Sequence, residues 1–168
     1  MKYYTGIGSR ETPLEILQIM IESAKILSTK GYCLRSGGAD GADSAFEKGA
    51  TEKEIYLPWK GFNGSDSELH KVCSRAIATA ESIHPAWDKL SQGAQKLHAR
   101  NCYQILGQRL TSPSEFVICW TKDGKEIGGT RTAIVLAKKY NIPVFNLGIK
   151  SVEEAFIKRI DEEYALDK

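Results

Sequence analysis

Apolar positions along the chain alternate between two periods. Short apolar runs at residues 2–6, 32–35, 54–57, 116–120 and 143–147 have the length and composition of buried strands. The run Phe116-Val117-Ile118-Cys119-Trp120 is uninterrupted, the type covered on both faces of a parallel sheet. Between these runs the apolar residues take helical spacing. Leu14, Leu17, Ile21, Ala24 and Leu27 mark one face of a first helix. Thr12 is its expected N-cap, Pro13 its first helical residue, Glu15 lies three residues after the cap, and Gly31 closes it. Further helices are predicted over residues 39–48, 66–82, 88–108, 130–140 and 152–164, with residues 59–65 irregular and His84-Pro85 as a break. Strands alternating with helices predict an α/β fold, a mainly parallel sheet with helices on both faces. No linker, repeat or low-complexity tract interrupts it, so one domain is expected over residues 1–168.

In such sheets ligands bind beyond the carboxyl ends of the strands, and three strand ends here run into glycine-rich polar loops. The first holds Gly6, Gly8, Ser9 and Arg10. Glycine lets backbone approach a ligand, the next helix presents free N–H groups, and Arg10 suits a phosphate. The second holds Ser36, Gly37, Gly38, Ala39, Asp40, Gly41, Ala42 and Asp43. Three glycines in five positions work against helix stability but suit a concave row of amides around an oxyanion. Asp43 falls in the first turn of the helix, where a carboxylate favours the dipole or accepts from sugar hydroxyls. The third, after the most hydrophobic strand, holds Glu126, Gly128, Gly129, Thr130 and Arg131. None of the three matches the P-loop or the dinucleotide fingerprint, which argues against an ATPase or an NAD enzyme.

Composition narrows the classes. At 168 residues, 42% hydrophobic and 26% charged, the chain has room for a real core. No apolar run approaches the roughly 20 residues of a membrane span, and the first ten residues lack the apolar segment of a secretory leader. Cys33, Cys73, Cys102 and Cys119 form no C-x-x-C pair and are expected as free thiols in a reducing compartment, which points to the cytoplasm. A net charge of +2 predicts no strong global attraction to nucleic acid. His70, His84 and His98 are too scattered in sequence for a metal site, so neither metal nor cofactor is expected. Trp59, Phe62 and Trp87 flank the irregular segment, as core residues or as a wall for a base. The charges of residues 158–168 are expected on a solvated helix face.

Together these residues resemble a known family. Gly8-Ser9-Arg10, then Ser36-Gly37-Gly38-Ala39, Gly41 and Asp43 with Gly49-Ala50 behind them, resemble the DprA/Smf DNA-processing family. Arg100-Asn101 resembles that family's Arg-Asn element after the third strand. Gly128-Gly129-Thr130 resembles the loop shared with the lysine-decarboxylase-like phosphoribohydrolases. Both groups belong to the SLOG superfamily of Rossmann-like nucleotide binders, and the resemblance spans about residues 3–147. It implies a three-layer Rossmann-like domain of bacterial or phage origin, a nucleotide-like ligand, and a homodimer or higher homo-oligomer using the helices between residues 66 and 108. There are two departures. Glu47 stands where the DNA-processing proteins usually have His, and no winged-helix segment is expected after the sheet, which argues against recombinase loading and strand annealing. Ala133 stands where the phosphoribohydrolases carry a catalytic Glu, which leaves hydrolysis to Asp43, Glu126 or Glu81.

The expectation is a sensor or sequestering protein for a mononucleotide, an ADP-ribose derivative or a cyclic signalling nucleotide. Its expected ligand-binding residues are Gly8, Ser9, Arg10, Ser36, Gly37, Gly38, Ala39, Asp43, Arg100, Asn101, Gly128, Gly129, Thr130 and Arg131, with Asp43 on the sugar. One alternative is an N-glycosidase of nucleoside monophosphates using Asp43 or Glu126, since glycosyl transfer needs a carboxylate near the anomeric carbon. The other is single-strand DNA binding, with affinity falling steeply in salt.

Overall fold

The computed structural model describes residues 1–166. Five strands, β1 (Lys2–Gly6), β2 (Tyr32–Ser36), β3 (Lys53–Ile55), β4 (Val117–Cys119) and β5 (Val144–Asn146), pair in the order β3-β2-β1-β4-β5. Every pairing is parallel, with Thr5 opposite Arg35 on one side and Val117 on the other. The six helices are α1 (Leu14–Thr29), α2 (Ala42–Gly49), α3 (Ser74–Ile83), α4 (Gln92–Leu106), α5 (Arg131–Lys139) and α6 (Lys150–Leu166). Helices α1, α2 and α6 pack on one face, over a core that includes Tyr4, Met20, Leu34, Phe46 and Ile118. Helices α3, α4 and α5 pack on the other, over Ile7, Ile105, Leu106, Val117 and Ile134. This is the three-layer α/β fold expected from the alternation of periods. The strand order reverses between β1 and β4, so the crevice for a ligand lies beside the loop that follows β1.

Element limits depart from the sequence pattern where side chains capture backbone groups. Helix α3 starts eight residues later than its pattern suggests. Ser67 Oγ donates to the Ile55 carbonyl at 2.6 Å and the Leu57 amide donates to the Leu69 carbonyl at 2.8 Å, so this stretch runs beside the end of β3 instead of coiling. Helix α4 starts at Gln92 because Ser91 caps it, its hydroxyl accepting from the Ala94 amide at 3.1 Å. Asp88 falls instead in a separate 3-10 turn, Trp87–Lys89. Thr12 does not cap α1: its hydroxyl donates to the Ser9 carbonyl at 2.6 Å, and Pro13, in extended conformation, takes the cap position.

Helices α1 and α2 lie against each other at Gly49, where an added Cβ would stand 2.3 Å from the Ile21 carbonyl oxygen and 2.8 Å from Ala24 Cβ. Glycine is required there for closeness. Gly49→Ala is therefore expected to destabilise the fold by about 1–3 kcal/mol, although alanine is the better helix former. Urea unfolding of the variant measures this, and an unchanged midpoint would contradict it.

Candidate functional site

A cavity of about 560 Å³ opens at the carboxyl end of the sheet, where the strand order reverses. Residues from all three glycine-rich loops and from one face of α4 line it. The first loop supplies Ile7, Gly8, Ser9, Arg10 and Glu11, the second Ala39 and Asp43, and the third Gly128, Gly129 and Thr130. Helix α4 adds Ala94, Leu97, His98, Arg100, Asn101 and Gln104, and the end of β4 leads into Trp120, Thr121 and Lys122.

The first loop is wedged between the second loop and the end of β4. A Cβ on Gly8 would meet Ala42 Cβ at 2.7 Å and the Trp120 backbone at 3.2 Å. Gly41, at φ +81°, lies so close to the first loop that a Cβ would stand 2.8 Å from the Ser9 carbonyl oxygen and Arg10 Cα. Only glycine combines that φ with that contact.

Arg100 and Asn101 tie the outer loops together. The Arg100 guanidinium donates from Nη1 to the Gly37 carbonyl, and to the Tyr56 carbonyl at 3.2 Å. Its Nε donates to Asn101 Oδ1 at 3.0 Å, and Asn101 Nδ2 in turn donates to the Gly129 carbonyl at 2.7 Å. Both residues are buried, and Phe62 covers the guanidinium with its ring centroid 5.5 Å away. Burial lowers the Arg100 pKa, and the nearby Asp43 opposes that shift.

Asp43 sits on the cavity floor, 4% exposed, and its Oδ2 accepts from the Ala39 amide at 3.2 Å. This carboxylate thus occupies the amide cradle that the second loop was expected to offer a phosphate. Burial pushes its pKa up from 3.8 to about 6, against the opposing pull of Arg100 and the Ala39 N–H. Gly37 lies directly beneath: a Cβ there would meet Gln104 Nε2, Arg100 Nη1 and Asp43 Oδ2 at 2.2, 2.7 and 2.8 Å. Three polar side chains therefore converge on the face of one glycine.

Of the residues expected from sequence, Gly8, Ser9, Arg10, Ala39, Asp43, Arg100, Asn101, Gly128, Gly129 and Thr130 lie on the cavity wall. Ser36, Gly37, Gly38 and Arg131 lie outside it. Ser36 is buried and donates to the Gly6 carbonyl at 2.6 Å; the Gly38 carbonyl accepts from Asn63 Nδ2 at 3.1 Å; Arg131 donates to the Ile83 carbonyl at 3.4 Å. Glu126 also lies off the wall, exposed and paired with Lys138. Phe62 lines the cavity, Trp87 is buried in the core, and Trp59 is 40% exposed.

Sequence reasoning missed His98, Gln104, Thr121 and Lys122. Two of them were within reach: His98 and Gln104 stand three residues either side of Asn101, hence on the same helical face. His98 Nδ1 pairs with Thr132 Oγ1 at 2.7 Å, and its ring packs 4.7 Å from that of His84, so two of the scattered histidines meet in space. Burial first, then His84, Arg100 and Arg131, lower its pKa. Gln104 is 2% exposed; its backbone carbonyl accepts from Thr5 and Ser114, while its side-chain amide has no hydrogen-bond partner among the described residues and opens into the cavity. The four cysteines are free, Cys73 exposed and the others buried. Among the described residues no cluster of three metal-ligating side chains occurs, and no helix is long and apolar enough to cross a membrane.

No family model matches the chain, and no curated protein matches it. Among solved structures the chain is similar to DNA processing protein A from Helicobacter pylori, a protein described for its single-stranded DNA binding mode. The two share 23% sequence identity with a TM-score of 0.58, over 86% of this chain and 64% of that one. The likeness is one of fold, and the chain corresponds to less than two thirds of its neighbour's length.

Two outcomes test this arrangement. Asn101→Ala should cost about 1–2 kcal/mol and speed amide hydrogen exchange at residues 127–130, while residues 36–39, held by Arg100, stay protected. Because the Asp43 pKa is higher folded than unfolded, its contribution is fully present below about pH 4 and is lost as pH rises through about 6. Asp43→Asn should therefore be more stable than wild type at pH 8, by up to about 3 kcal/mol, with the gap closing toward pH 4. Urea titrations across that range measure it.

Proposed function

We propose that the cavity binds a nucleotide or nucleotide-derived ligand, with phosphate at the third loop, sugar at the floor and base against the apolar wall. The observation that carries this reading is the division of the cavity by chemistry. Gly128 and Gly129 stand open, no atom lying within 4 Å of a Cβ added at either, beside Thr130 and facing the same hollow as Arg10 and Lys122. Bare backbone at the start of α5 with two exposed cations suits a phosphate. Phe62, Leu97 and Ile127 offer an apolar wall to a base. Gly37 and Gly38 act on this reading by shape: the first seats the floor residues and the second turns the loop over Leu57. Backbone donors suffice for a sensor or sequestering protein, and no step of chemistry is required.

A second reading, single-strand DNA binding, is favoured by the fold shared with the Helicobacter pylori protein. The small net charge weighs against it.

Calorimetric titration with 5′-mononucleotides, ADP-ribose and cyclic dinucleotides is expected to find binding to at least one of them, at an affinity that changes little with salt. Gly129→Ala should weaken that binding by about tenfold with no change in melting temperature, because the added methyl meets ligand and not protein. Silence from every nucleotide, or oligonucleotide binding that falls steeply with salt, would overturn the reading. Release of free base on incubation, lost in Asp43→Asn, would make the protein an N-glycosidase.

A further inference from the structure

From the floor of the cavity we infer that the protein distinguishes ribose from deoxyribose, with Gln104 as the residue that reads the sugar hydroxyls. The inference rests on the nucleotide reading above and goes further by naming the sugar. Its basis is an unpartnered group. Gln104 is 2% exposed as a residue and lines the cavity, and its side-chain amide makes no hydrogen bond to any described residue. The amide nitrogen and oxygen are not sealed off inside the protein, so they reach the hollow, where a ligand can supply the hydrogen bonds the protein does not.

The neighbours of that amide define what the ligand must present there. Gln104 Nε2, Arg100 Nη1 and Asp43 Oδ2 converge on Gly37, all within 2.8 Å of the place of its absent Cβ. Arg100 is already bound to the Gly37 and Tyr56 carbonyls and to Asn101, so its charge is held by the protein. Asp43 accepts from the Ala39 amide, and the Gly8 amide and Ser36 hydroxyl also favour its charged form; of the roughly four acceptor sites of a carboxylate, this leaves room for one ligand donor. A phosphate on this floor would face the Asp43 carboxylate, and an apolar group would leave both Asp43 and Gln104 unsatisfied. The fitting occupant is neutral and carries hydroxyl protons side by side: one hydroxyl donates to Asp43, and the next exchanges a hydrogen bond with the Gln104 amide, which offers both a donor and an acceptor.

The rest of the cavity leaves that position to the sugar. Leu97 stands seven residues before Gln104 on α4, about 10 Å along the helix, and with Phe62 and the 48% exposed Ile127 it forms the apolar outer part. The open amides of the third loop take the charged group. The vicinal diol of a ribose is the part of a nucleotide that matches the remaining floor. Thr5 and Ser114 hold the backbone carbonyl of Gln104, and its Nε2 is packed against Gly37 beside Arg100 and Asp43, so the side chain has little room to swing away.

The test compares each 5′-ribonucleoside monophosphate with its 2′-deoxy and 3′-deoxy counterparts by calorimetry, on the wild-type protein and on Gln104→Met. In the wild type the ribose form should bind about 10–100-fold more tightly than at least one deoxy form, because a missing hydroxyl leaves a buried polar group unpaired. In Gln104→Met the ribose form should weaken toward the deoxy form, whose affinity stays within about threefold of its wild-type value. Equal binding of ribose and both deoxy forms to the wild type would overturn the inference while leaving the nucleotide reading intact. A ribose preference that survives in Gln104→Met would overturn the role of Gln104. Absence of binding by all the monophosphates would overturn the inference; the nucleotide reading falls with it only where ADP-ribose and the cyclic dinucleotides are silent as well. The wild-type comparison needs no variant, so a misfolded Gln104→Met does not protect the inference.

Discussion

Two carbonyl oxygens, those of Gly37 and Gly129, belong to loops far apart in the chain, and successive residues of α4 hold them both. Arg100 takes the first and Asn101 the second, and the two side chains are hydrogen-bonded to each other. Arg100 and Asn101 are themselves buried, where an unpaired guanidinium or side-chain amide would be costly, while the Gly129 end of the bridge is part-buried. That cost fixes the loops relative to one another. A parallel sheet alone brings three loops to one edge; it does not set their spacing. The bridge from α4 does, and the width of the cavity follows from it.

The charges inside the cavity follow a second constraint. An anion-binding helix N-terminus is attractive to any negative group, including one from the protein itself. At α2 the protein's own Asp43 takes the position, with Ala39 as donor. At α5 no carboxylate does: Glu126, the nearest by sequence, turns outward to Lys138. Two loops that look alike in composition are therefore unlike in electrostatics. One carries its own carboxylate and the other leaves its glycine backbone bare, so the two ends of the cavity differ in charge.

Much of this was legible in the sequence. The alternation of strand and helix periods, the single uninterrupted apolar strand and the glycine loops at strand ends were enough for the layered fold and for the end of the sheet where the cavity opens. The start of α3 was not legible, because Ser67 bonds to Ile55 at the end of β3 and Leu69 to Leu57 two residues beyond it, tertiary contacts that no local pattern records. Nor was the division of labour among glycines. Gly37 and Gly129 look equivalent in the sequence, yet a Cβ on the first would collide with three side chains and a Cβ on the second would stand in open space. Gln104 escaped because glutamine in a helix is ordinary; only its lack of a partner makes it informative. Its place three residues from Asn101, on the same helical face, was the available clue.

The continuous helix beneath the loops carries one more consequence, for how this protein tolerates change. Both loop carbonyls are reached from adjacent positions, so the rotational phase of α4 matters more than the length of the segments around it. One residue inserted before Arg100 within that helix would turn the pair by about 100° and release both loops at once. Added residues in the exposed turns at 60–66 or 122–126 would leave the same bonds in register. The spacing of the two loops is thus set by the count of this one helix and not by the length of the turns around it.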